Sequence, residues 1–319
     1  LVAGAGQAFS QVPRRIVMGG KAVIMVADVV YAFPSARSSV LTVGGADQGL
    51  GFFLGAVSPA FNGLPTLDRQ AGVEAYAAFN PDMVILKSSL KKTTGAGLEA
   101  LGIRTAYLTL ETVQDFRVDL QFLGRMFGDE ARARELVAYY DEVSARVDKA
   151  VRGSPKPRVL LIQASGDGYQ IPPDGWMQTS LVEMAGGVPV WKGASVGSGW
   201  ARVGAEQIAA WNPDVILVVS YSKPSDEVAL LAARDQRIVA TRAAKDGAVI
   251  GFAQDFISWD QPDVRWGLGL LWLADVLHPG RLPGFDAVKE ARTFFRLFYQ
   301  IDDTAFDRHI LPRLRVSGR

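Results

Sequence analysis

Few residues in this chain could perform covalent or metal chemistry. The sequence contains no cysteine and only two histidines, His278 and His309. Thiolate nucleophiles, disulfides and cysteine-held metals are therefore excluded. His278 ends a helical pattern in "DVLHPG", and His309 lies in the last helical segment. Because a zinc or manganese site needs several imidazoles and carboxylates together, the sequence predicts no directly bound metal and no cofactor.

Motifs of the common enzyme classes are missing or incomplete. The glycine-rich stretches "GADQGLG" and "SGDGYQ" match neither the dinucleotide fingerprint nor the phosphate-binding loop. The pattern Gly-x-Ser-x-Gly occurs as "GASVG" at residues 193–197, but a triad would have to use one of the two histidines. We therefore predict that the protein is not an enzyme. Two alternatives are a two-lobed metallocluster subunit, which the missing cysteines oppose, and a two-lobed α/β transferase.

One phrase occurs twice in the sequence. "EAYAAFNPDMVIL" covers residues 74–86 and "EQIAAWNPDVILV" covers residues 206–218. In each copy a glutamate opens a short helical pattern, and Pro81 or Pro213 prevents the helix from continuing. An apolar run follows, typical of a parallel strand that is covered on both faces. The equal Glu-to-Asn spacing predicts a duplicated lobe.

Further strand-like and helical patterns alternate along the chain, which predicts parallel α/β layers. Between two groups of strands lies a long stretch of helical periodicity, broken once at Gly128-Asp129 and ended by "RGSPKPR". We predict two parallel-sheet α/β lobes joined by a single long helical connector. The boundaries are an N-terminal lobe at 1–113, the connector at 114–153, and a C-terminal lobe with terminal helices at 154–319.

Composition narrows the class of protein. Apolar residues make up 49% and charged residues 21%, as in soluble globular proteins. A net charge of +1 opposes general nucleic-acid binding. No apolar run approaches the ~20 residues of a membrane span. The first residues, "LVAGAGQAFSQVPRR", lack the pattern of a signal peptide, so we expect any such peptide to have been removed or never to have existed.

With both copies of the phrase, the chain resembles the periplasmic substrate-binding proteins of the iron-siderophore, haem and cobalamin ABC importers. The resemblance covers almost the whole sequence and rests on the order and spacing of its pieces. Those pieces also include "PRRIV", "LEALGIRTAYL", "LGRMFGDEARARELVAYYDE", "LVEMAGGVPVW", "LGLLWLADVLHP" and "FFRLFYQID". The usual N-terminal Asp-x-x-Gly-Arg-x-Val pattern is reduced here to "GAGQAF".

The resemblance implies a monomer with a ligand cleft between two lobes that a rigid helix bridges. It implies a periplasmic or other extracytoplasmic location, with a lipid anchor left open. It also implies a role for Glu74 and Glu206, which match by motif the acidic residues that pair with arginines of the ABC permease. The structural alternative is that each glutamate only occupies the first turn of a helix, where the helix dipole favours an acid.

Ligands of parallel α/β lobes bind beyond the carboxyl ends of the strands, and this rule selects several loops here. Aromatic side chains in these loops offer flat faces that suit a large conjugated or chelate ligand, and the cations suit an anionic group. The candidate ligand-binding residues are Lys21, Phe52, Lys87, Ser88, Tyr169, Trp176, Trp200, Tyr221 and Trp259. Four tryptophans in or beside regular patterns are assigned to packing, namely Trp191, Trp211, Trp266 and Trp272.

The sequence therefore predicts a solute-binding protein that captures a metal chelate and delivers it to an ABC permease. An iron-siderophore complex is the first candidate ligand. Haem with Tyr169 or Tyr221 as a ligand, cobalamin, and a small oxyanion such as molybdate remain open. No nucleic acid partner is expected.

Overall fold

The computed structural model describes residues 11–166, 168–194, 197 and 199–316. Contacts within the chain divide it into two compact units. The first unit runs through Tyr139 and takes in Phe295–Ala305, and the second holds Tyr140–Phe294 and continues from Phe306. The three segments proposed from the sequence stay a prediction about domains.

The first unit is built on a parallel sheet. Its strands are β1 Ile16–Met18, β2 Val40–Gly44, β3 Thr66–Leu67, β4 Met83–Lys87 and β5 Thr105–Leu108. The order across the sheet is β3-β2-β1-β4-β5, and every neighbouring pair is parallel. All residues of β4 are buried, as expected for a parallel strand covered on both faces. The second copy of the apolar run forms β10 in the other unit, and all residues of β10 are buried as well.

The second unit contains a mixed sheet. Its strands are β6 Arg158–Ser165, β7 Gly168–Ile171, β8 Val188–Pro189, β9 Ala201–Val203, β10 Val215–Val219 and β11 Val249–Gly251. The order is β11-β10-β6-β7-β9, with β8 beside β6. Strands β8, β10 and β11 follow the predicted parallel pattern. The pairs β6–β7 and β7–β9 are antiparallel, which the sequence analysis did not predict.

A tight hairpin explains the antiparallel pairing of β6 and β7. Ser165 pairs with Gly168, so only two residues connect β6 to β7. Gly166 has a φ of 56°, and short hairpin loops need such positive φ values. Tyr169, which the sequence analysis placed in a ligand-binding loop, therefore lies on a strand.

Helices cover the sheets and connect the strands. The α-helices are α1 Val23–Tyr31, α2 Pro34–Arg37, α3 Leu54–Val57, α4 Val73–Ala77, α5 Ala96–Ala100, α6 Val113–Phe127, α7 Glu130–Val151, α8 Met177–Met184, α9 Ala205–Trp211, α10 Ser225–Ala232, α11 Arg242–Lys245, α12 Trp266–Leu277, α13 Ala287–Tyr299 and α14 Asp303–Ala305. Short 3₁₀ turns occur at Pro59–Gly63, Ser88–Leu90 and Leu311–Arg313, and π turns at Lys91–Gly95 and Phe306–Ile310. Across the described residues, no helix has both the length and the apolar character that crossing a membrane requires.

The helical stretch between the two groups of strands consists of α6 and α7. Thr112 caps α6 with a capping box that includes Asp115. Gly128 ends the helix with φ 65°, a left-handed conformation that glycine adopts without steric cost. The break predicted at Gly128-Asp129 is therefore present, and α7 begins directly after it.

The duplicated Asn-Pro-Asp phrase forms the same turn twice. Asn80 and Asn212 have φ values of 48° and 38°, a left-handed conformation that asparagine tolerates better than most residues. The Asp82 carboxylate accepts from the backbone N–H of Arg15 at 3.0 Å, and that of Asp214 accepts from Arg158 at 2.9 Å. Each aspartate thereby ties the start of its following strand to the start of the neighbouring strand.

An arginine completes each turn. The Arg15 side chain donates to the carbonyls of Phe79 at 2.7 Å and Asn80 at 2.8 Å. Arg158 donates to the carbonyl of Trp211 at 2.8 Å. The Phe79 and Asn80 carbonyls lie just after α4 and the Trp211 carbonyl ends α9, and cations near the C-terminus of a helix are favoured by its dipole. The structural repeat therefore includes Arg15, which precedes β1, and Arg158, which opens β6.

Candidate ligand-binding site

Three predicted aromatic residues lie together in the second unit. The rings of Trp176 and Trp200 meet edge to face with centroids 5.9 Å apart, and Trp200 and Tyr221 are 6.0 Å apart. All three residues are half-buried. Trp176 precedes α8, Trp200 precedes β9 and Tyr221 follows β10. We call these three residues the aromatic cluster.

A buried polar network supports the aromatic cluster. The Tyr221 hydroxyl donates to Asp260 Oδ2 at 2.7 Å. Gln178 Nε2 donates to the same oxygen at 3.1 Å and to the Tyr221 hydroxyl at 3.3 Å. Ser258 Oγ donates to Asp260 Oδ1. Asp260 has 0% exposure and Gln178 has 3%, so the polar end of the tyrosine faces the interior of the unit.

The network also sets the protonation of Tyr221. Burial raises the pKa of Asp260, against the opposing hydrogen bonds from Ser258, Tyr221 and Gln178. Burial, followed by the nearby Asp260 carboxylate, raises the pKa of Tyr221 well above 10. Tyr221 is therefore a neutral phenol at physiological pH. Neither Asp260 nor Gln178 was selected from the sequence, because an acid in a loop and a glutamine on a helix usually face solvent.

A cavity in the first unit adjoins the predicted residue Lys21. It measures about 530 Å³ and is lined by Gly20, Lys21, Asp47, Asp68, Arg69 and Gln70. These residues follow the carboxyl ends of β1, β2 and β3, where ligands of parallel sheets bind. The Asp47 carboxylate accepts from the backbone N–H of Ala22 at 3.0 Å, which fixes the loop after β1. The cavity therefore presents side chains of both charges.

Phe52 and Ser88 occupy other loops of the first unit. Phe52 is half-buried and its ring lies 5.4 Å from that of Phe61. Ser88 is half-buried and opens the 3₁₀ turn after β4. Both keep part of their surface exposed, and their contact with ligand stays a prediction.

The expectation that Lys87 offers a free positive charge is wrong. Lys87 is 3% exposed. Its Nζ donates to the carbonyl of Thr109 at 2.5 Å and forms an ion pair with Glu111 at 2.8 Å. Lys87 ends β4 and pairs with Leu108 at the end of β5, so its side chain reaches the segment that follows. The lysine therefore holds the loop that follows β5.

Asp119 also binds the loop after β5, through backbone N–H groups of that loop. Its Oδ2 accepts from the backbone N–H of Thr109 at 2.7 Å and of Leu110 at 2.8 Å. Leu110 has a φ of 50°, a conformation that is costly for a leucine unless its surroundings impose it. Asp119 is 4% exposed, and burial raises its pKa from 3.8 to about 6.

The raised pKa of Asp119 predicts a pH effect on stability. The folded state binds this proton more tightly than the unfolded state, so the free energy of unfolding falls as the pH rises from about 4 to about 6. At 1.36 kcal/mol per pKa unit the loss is up to about 3 kcal/mol. Asp119→Asn keeps an acceptor and removes the charge, so its stability should fall less over this range. Urea unfolding of both proteins at pH 4, 5, 6 and 7 measures the difference.

Asp119→Ala is the control for that experiment. It removes the charge and the acceptor together, so we expect lower stability at every pH, without the extra slope of the parent protein. Parallel stability profiles for the parent protein and Asp119→Asn would contradict the assignment of the slope to Asp119.

Tyr169 does not join the aromatic cluster. It lies on β7 and is 5% exposed. Its hydroxyl donates to Asp235 at 3.1 Å, and the Arg237 guanidinium lies over its ring at 4.8 Å. Burial, with the charge of Asp235, raises the pKa of Tyr169 to about 12. The expectation of an exposed loop aromatic is wrong here because the residue belongs to a covered strand.

The same expectation is wrong for Trp259, which is 1% exposed. Its backbone lies so close to α12 that a Cβ on Gly269 would sit 2.3 Å from the Trp259 carbonyl oxygen. The absence of a side chain at Gly269 therefore permits this packing. Of the tryptophans assigned to packing, Trp191, Trp266 and Trp272 are buried and Trp211 is half-buried.

Neither histidine lies in the aromatic cluster. His278 caps α12, is 6% exposed, and has its pKa lowered by burial. His309 is exposed. Over residues 11–166, 168–194, 197 and 199–316, no three histidine, aspartate or glutamate side chains converge as a metal site would require.

Glu74 and Glu206 occupy equivalent positions in their units. Each is exposed and lies in the first turn of a short helix, α4 or α9. The helices begin after Gly72 and Gly204, which have φ and ψ values of −68° and 166° and of −88° and 163°. The local geometry of the duplicated phrase therefore presents the two carboxylates in the same way.

Comparison with known proteins identifies the family. The sequence profile described as periplasmic binding protein matches residues 66–255, more than half of the chain. The chain therefore belongs to the periplasmic binding proteins. Proteins of this family serve ABC transporters outside the cytoplasm and deliver small ligands to the permease.

Two relatives carry names that state a ligand. A cobalamin-binding protein of Halobacterium salinarum is 25% identical over 248 residues, which cover 74% of this chain and 66% of that protein. The chain thus spans slightly less than two thirds of this relative. The molybdate-binding protein MolA of Haemophilus influenzae is 28% identical over 253 residues, which cover 73% of this chain and 71% of MolA.

Solved structures share the fold. A periplasmic solute binding protein from Veillonella parvula superposes with a TM-score of 0.75 at 19% identity, over 95% of this chain and 93% of that one. The predicted α/β class, with two sheet-based lobes, is confirmed.

Proposed function

We propose that this protein captures a metal chelate and delivers it to an ABC permease, with an iron-siderophore complex as the first candidate. The observation that carries the proposal is the aromatic cluster. Tyr221 follows the carboxyl end of β10, the end at which ligands of α/β sheets bind. No catalytic step is part of the proposal.

The aromatic cluster suits a large ligand with an apolar face. Half-buried indole and phenol rings supply contact area at a low cost in side-chain entropy, because each ring has only two rotatable bonds. A bare oxyanion would gain little from such faces, since it needs N–H donors and cations. The cluster therefore favours a chelate.

The cavity of the first unit has charged side chains of its own. Lys21 and Arg69 line it beyond β1 and β3, together with Asp47 and Asp68. An anionic group would pair with the two cations, and a hydrogen-bond donor would bond to the carboxylates. Because Lys87 already pairs with Glu111, we leave it out of this set.

The named relatives support two other ligands. Cobalamin, the ligand in the name of the Halobacterium protein, is a large metal complex and would use the same aromatic faces. Molybdate, the ligand in the name of MolA, would depend on the cavity around Lys21 and would not need the aromatic cluster. Binding of cobalamin and binding of molybdate are therefore expected to change the tryptophan fluorescence differently.

Titration of tryptophan fluorescence tests the proposal. The panel comprises ferrioxamine B, ferric enterobactin, haemin, cyanocobalamin, molybdate and free ferric ion. We expect saturable quenching by one chelate, and Trp200→Phe should weaken both the signal and the affinity. Replacement of the indole by the smaller phenyl ring reduces the apolar contact area, and a loss of about 1.4 kcal/mol would reduce affinity about ten-fold.

Trp211→Phe is the matched control. Trp211 is half-buried and precedes β10, whereas Tyr221 follows it, so the two lie beyond opposite ends of the same strand. The control should bind as the parent protein does. A response to molybdate alone would show that the ligand is an oxyanion and not a chelate. A folded protein that binds none of the panel would refute the proposal.

A further inference from the structure

The hydroxyl of Tyr221 is directed at buried partners. The residue is half-buried, yet its hydroxyl contacts Asp260 at 2.7 Å and Gln178 at 3.3 Å, both of which are at most 3% exposed. The hydroxyl is therefore bonded to buried partners, while the ring borders Trp200 in the aromatic cluster. A ligand over the aromatic cluster would meet this ring and not the oxygen.

The hydrogen bonds of the Tyr221 hydroxyl are also made with protein groups. A phenol has one proton, and the proton of Tyr221 is donated to Asp260 Oδ2. Gln178 Nε2 donates to the phenol oxygen and so uses part of its capacity to accept. Asp260 is held from its other oxygen by Ser258. The orientation of the Tyr221 ring is thereby fixed by buried partners on one side.

We propose that Asp260 is a positioning residue that holds Tyr221 as a neutral phenol, so that the site binds chelates whose metal is already coordinatively saturated. This inference rests on the proposed function and specifies its substrate class. A chelate with six donor atoms of its own needs only apolar faces and peripheral hydrogen bonds from the protein. A complex with an open coordination position needs a ligating oxygen or nitrogen, which the aromatic cluster does not offer.

Other observations agree with this assignment. The pKa of Tyr221 lies well above 10 because burial and the Asp260 carboxylate both disfavour the phenolate. The hydroxyl of Tyr169, the other tyrosine considered as a haem ligand, is likewise donated to a carboxylate, that of Asp235. Within the part of the chain that the structure describes, no cluster of histidine and acidic side chains offers an alternative ligand set.

Haemin, which has an open axial position, provides the first test. Visible absorption spectra of the protein with haemin, cyanocobalamin and ferrioxamine B are compared with those of Tyr221→Phe. We expect no tyrosinate-to-iron charge-transfer band with haemin, and no spectral difference between the two proteins. Such a band in the parent protein, lost in Tyr221→Phe, would overturn the proposal. It would mean that the proton had passed from Tyr221 to Asp260 and that the phenolate oxygen had bound iron.

A titration without ligand tests the positioning role separately. The ultraviolet absorbance of tyrosinate is followed with rising pH, and the difference between the parent protein and Tyr221→Phe isolates Tyr221. Asp260 is the titratable group bonded to its hydroxyl. Asp260→Asn should lower the midpoint of Tyr221 by about one pH unit or more, because it removes a negative charge beside the phenol. Ser258→Ala keeps the Tyr221–Asp260 bond and should change the midpoint less.

The outcomes separate this inference from the proposed function. If no chelate binds but Tyr221 ionises late in the parent protein and earlier in Asp260→Asn, the proposed function fails and the positioning role stands. If Asp260→Asn does not fold, the parent protein alone decides: ionisation of Tyr221 near the ordinary value of about 10 would refute the positioning role. An unchanged midpoint in a folded Asp260→Asn variant would do the same.

Discussion

The double variant Glu74→Lys/Glu206→Lys is expected to reduce permease-dependent uptake to the level of cells that lack the protein, while ligand affinity stays the same. Both glutamates are exposed and occupy the same place in their helices. If each pairs with a permease arginine, reversal sets like charges against each other, which costs several kcal/mol. At 1.4 kcal/mol per factor of ten, two such contacts account for complete loss. Each single reversal should leave partial uptake.

The matched control is Glu130→Lys/Glu227→Lys. Both residues are exposed acids in the first turn of a helix, α7 and α10. Reversal of either costs a similar 0.3–1 kcal/mol, roughly, from the helix dipole. Uptake of the chelate found by titration should be normal in the control. If the control loses uptake equally, or if Glu74→Lys/Glu206→Lys retains it, the glutamates serve their helices and not the permease.

The repeated phrase shows what could be predicted from sequence. Its glutamate, its Asn-Pro-Asp turn and its apolar run act over a few neighbouring residues, so local rules were sufficient to place two helices and two strands. The same holds for the break at Gly128, where a left-handed residue is required. The role of Arg15 and Arg158 was missed, because each reaches carbonyls more than fifty positions away in the sequence.

Side-chain burial contradicts the exposure expected of three candidate residues. Lys87, Tyr169 and Trp259 have residue types that suit ligand binding, yet all three are nearly inaccessible. Each buried side chain or backbone packs against a partner elsewhere in the sequence. The partners are Glu111 for the lysine, Asp235 for the tyrosine, and Gly269 for the tryptophan. No local pattern in the sequence reveals such pairs.

The members of the aromatic cluster, in contrast, could be selected from the sequence, because they lie in loops and keep part of their surface exposed. Trp176, Trp200 and Tyr221 were selected one by one from loop position and residue type, and the tertiary fold brings their rings within about 6 Å of each other. Asp260, which orients Tyr221, could not be selected in this way. Its sequence neighbours resemble an ordinary polar loop, whereas its carboxylate is fully buried.

Asp260 lies in a segment that depends on a buried charge cluster. Arg265 donates from Nε to Asp255 at 2.8 Å and from Nη1 to Asp263 at 2.6 Å, and all three side chains have 0% exposure. Arg265→Leu would leave two carboxylates in the interior without their cation. We expect a loss of roughly 3–5 kcal/mol in the free energy of unfolding, measured by urea denaturation. Arg265→Lys should recover only part of this, because an ammonium cannot reproduce the fork of the guanidinium.

Arg242→Leu is the exposed counterpart. Its side chain is 64% exposed although it also pairs with two carboxylates, those of Asp214 and Asp246, so removal should cost about 1 kcal/mol or less. The triple variant Arg265→Met/Asp255→Asn/Asp263→Asn removes the buried cation together with both anions and should regain much of the stability lost in Arg265→Leu. A loss below 1 kcal/mol in Arg265→Leu would contradict the charge argument. If the argument holds, Arg265→Leu should also weaken chelate binding, because the loop it anchors carries the carboxylate that orients Tyr221.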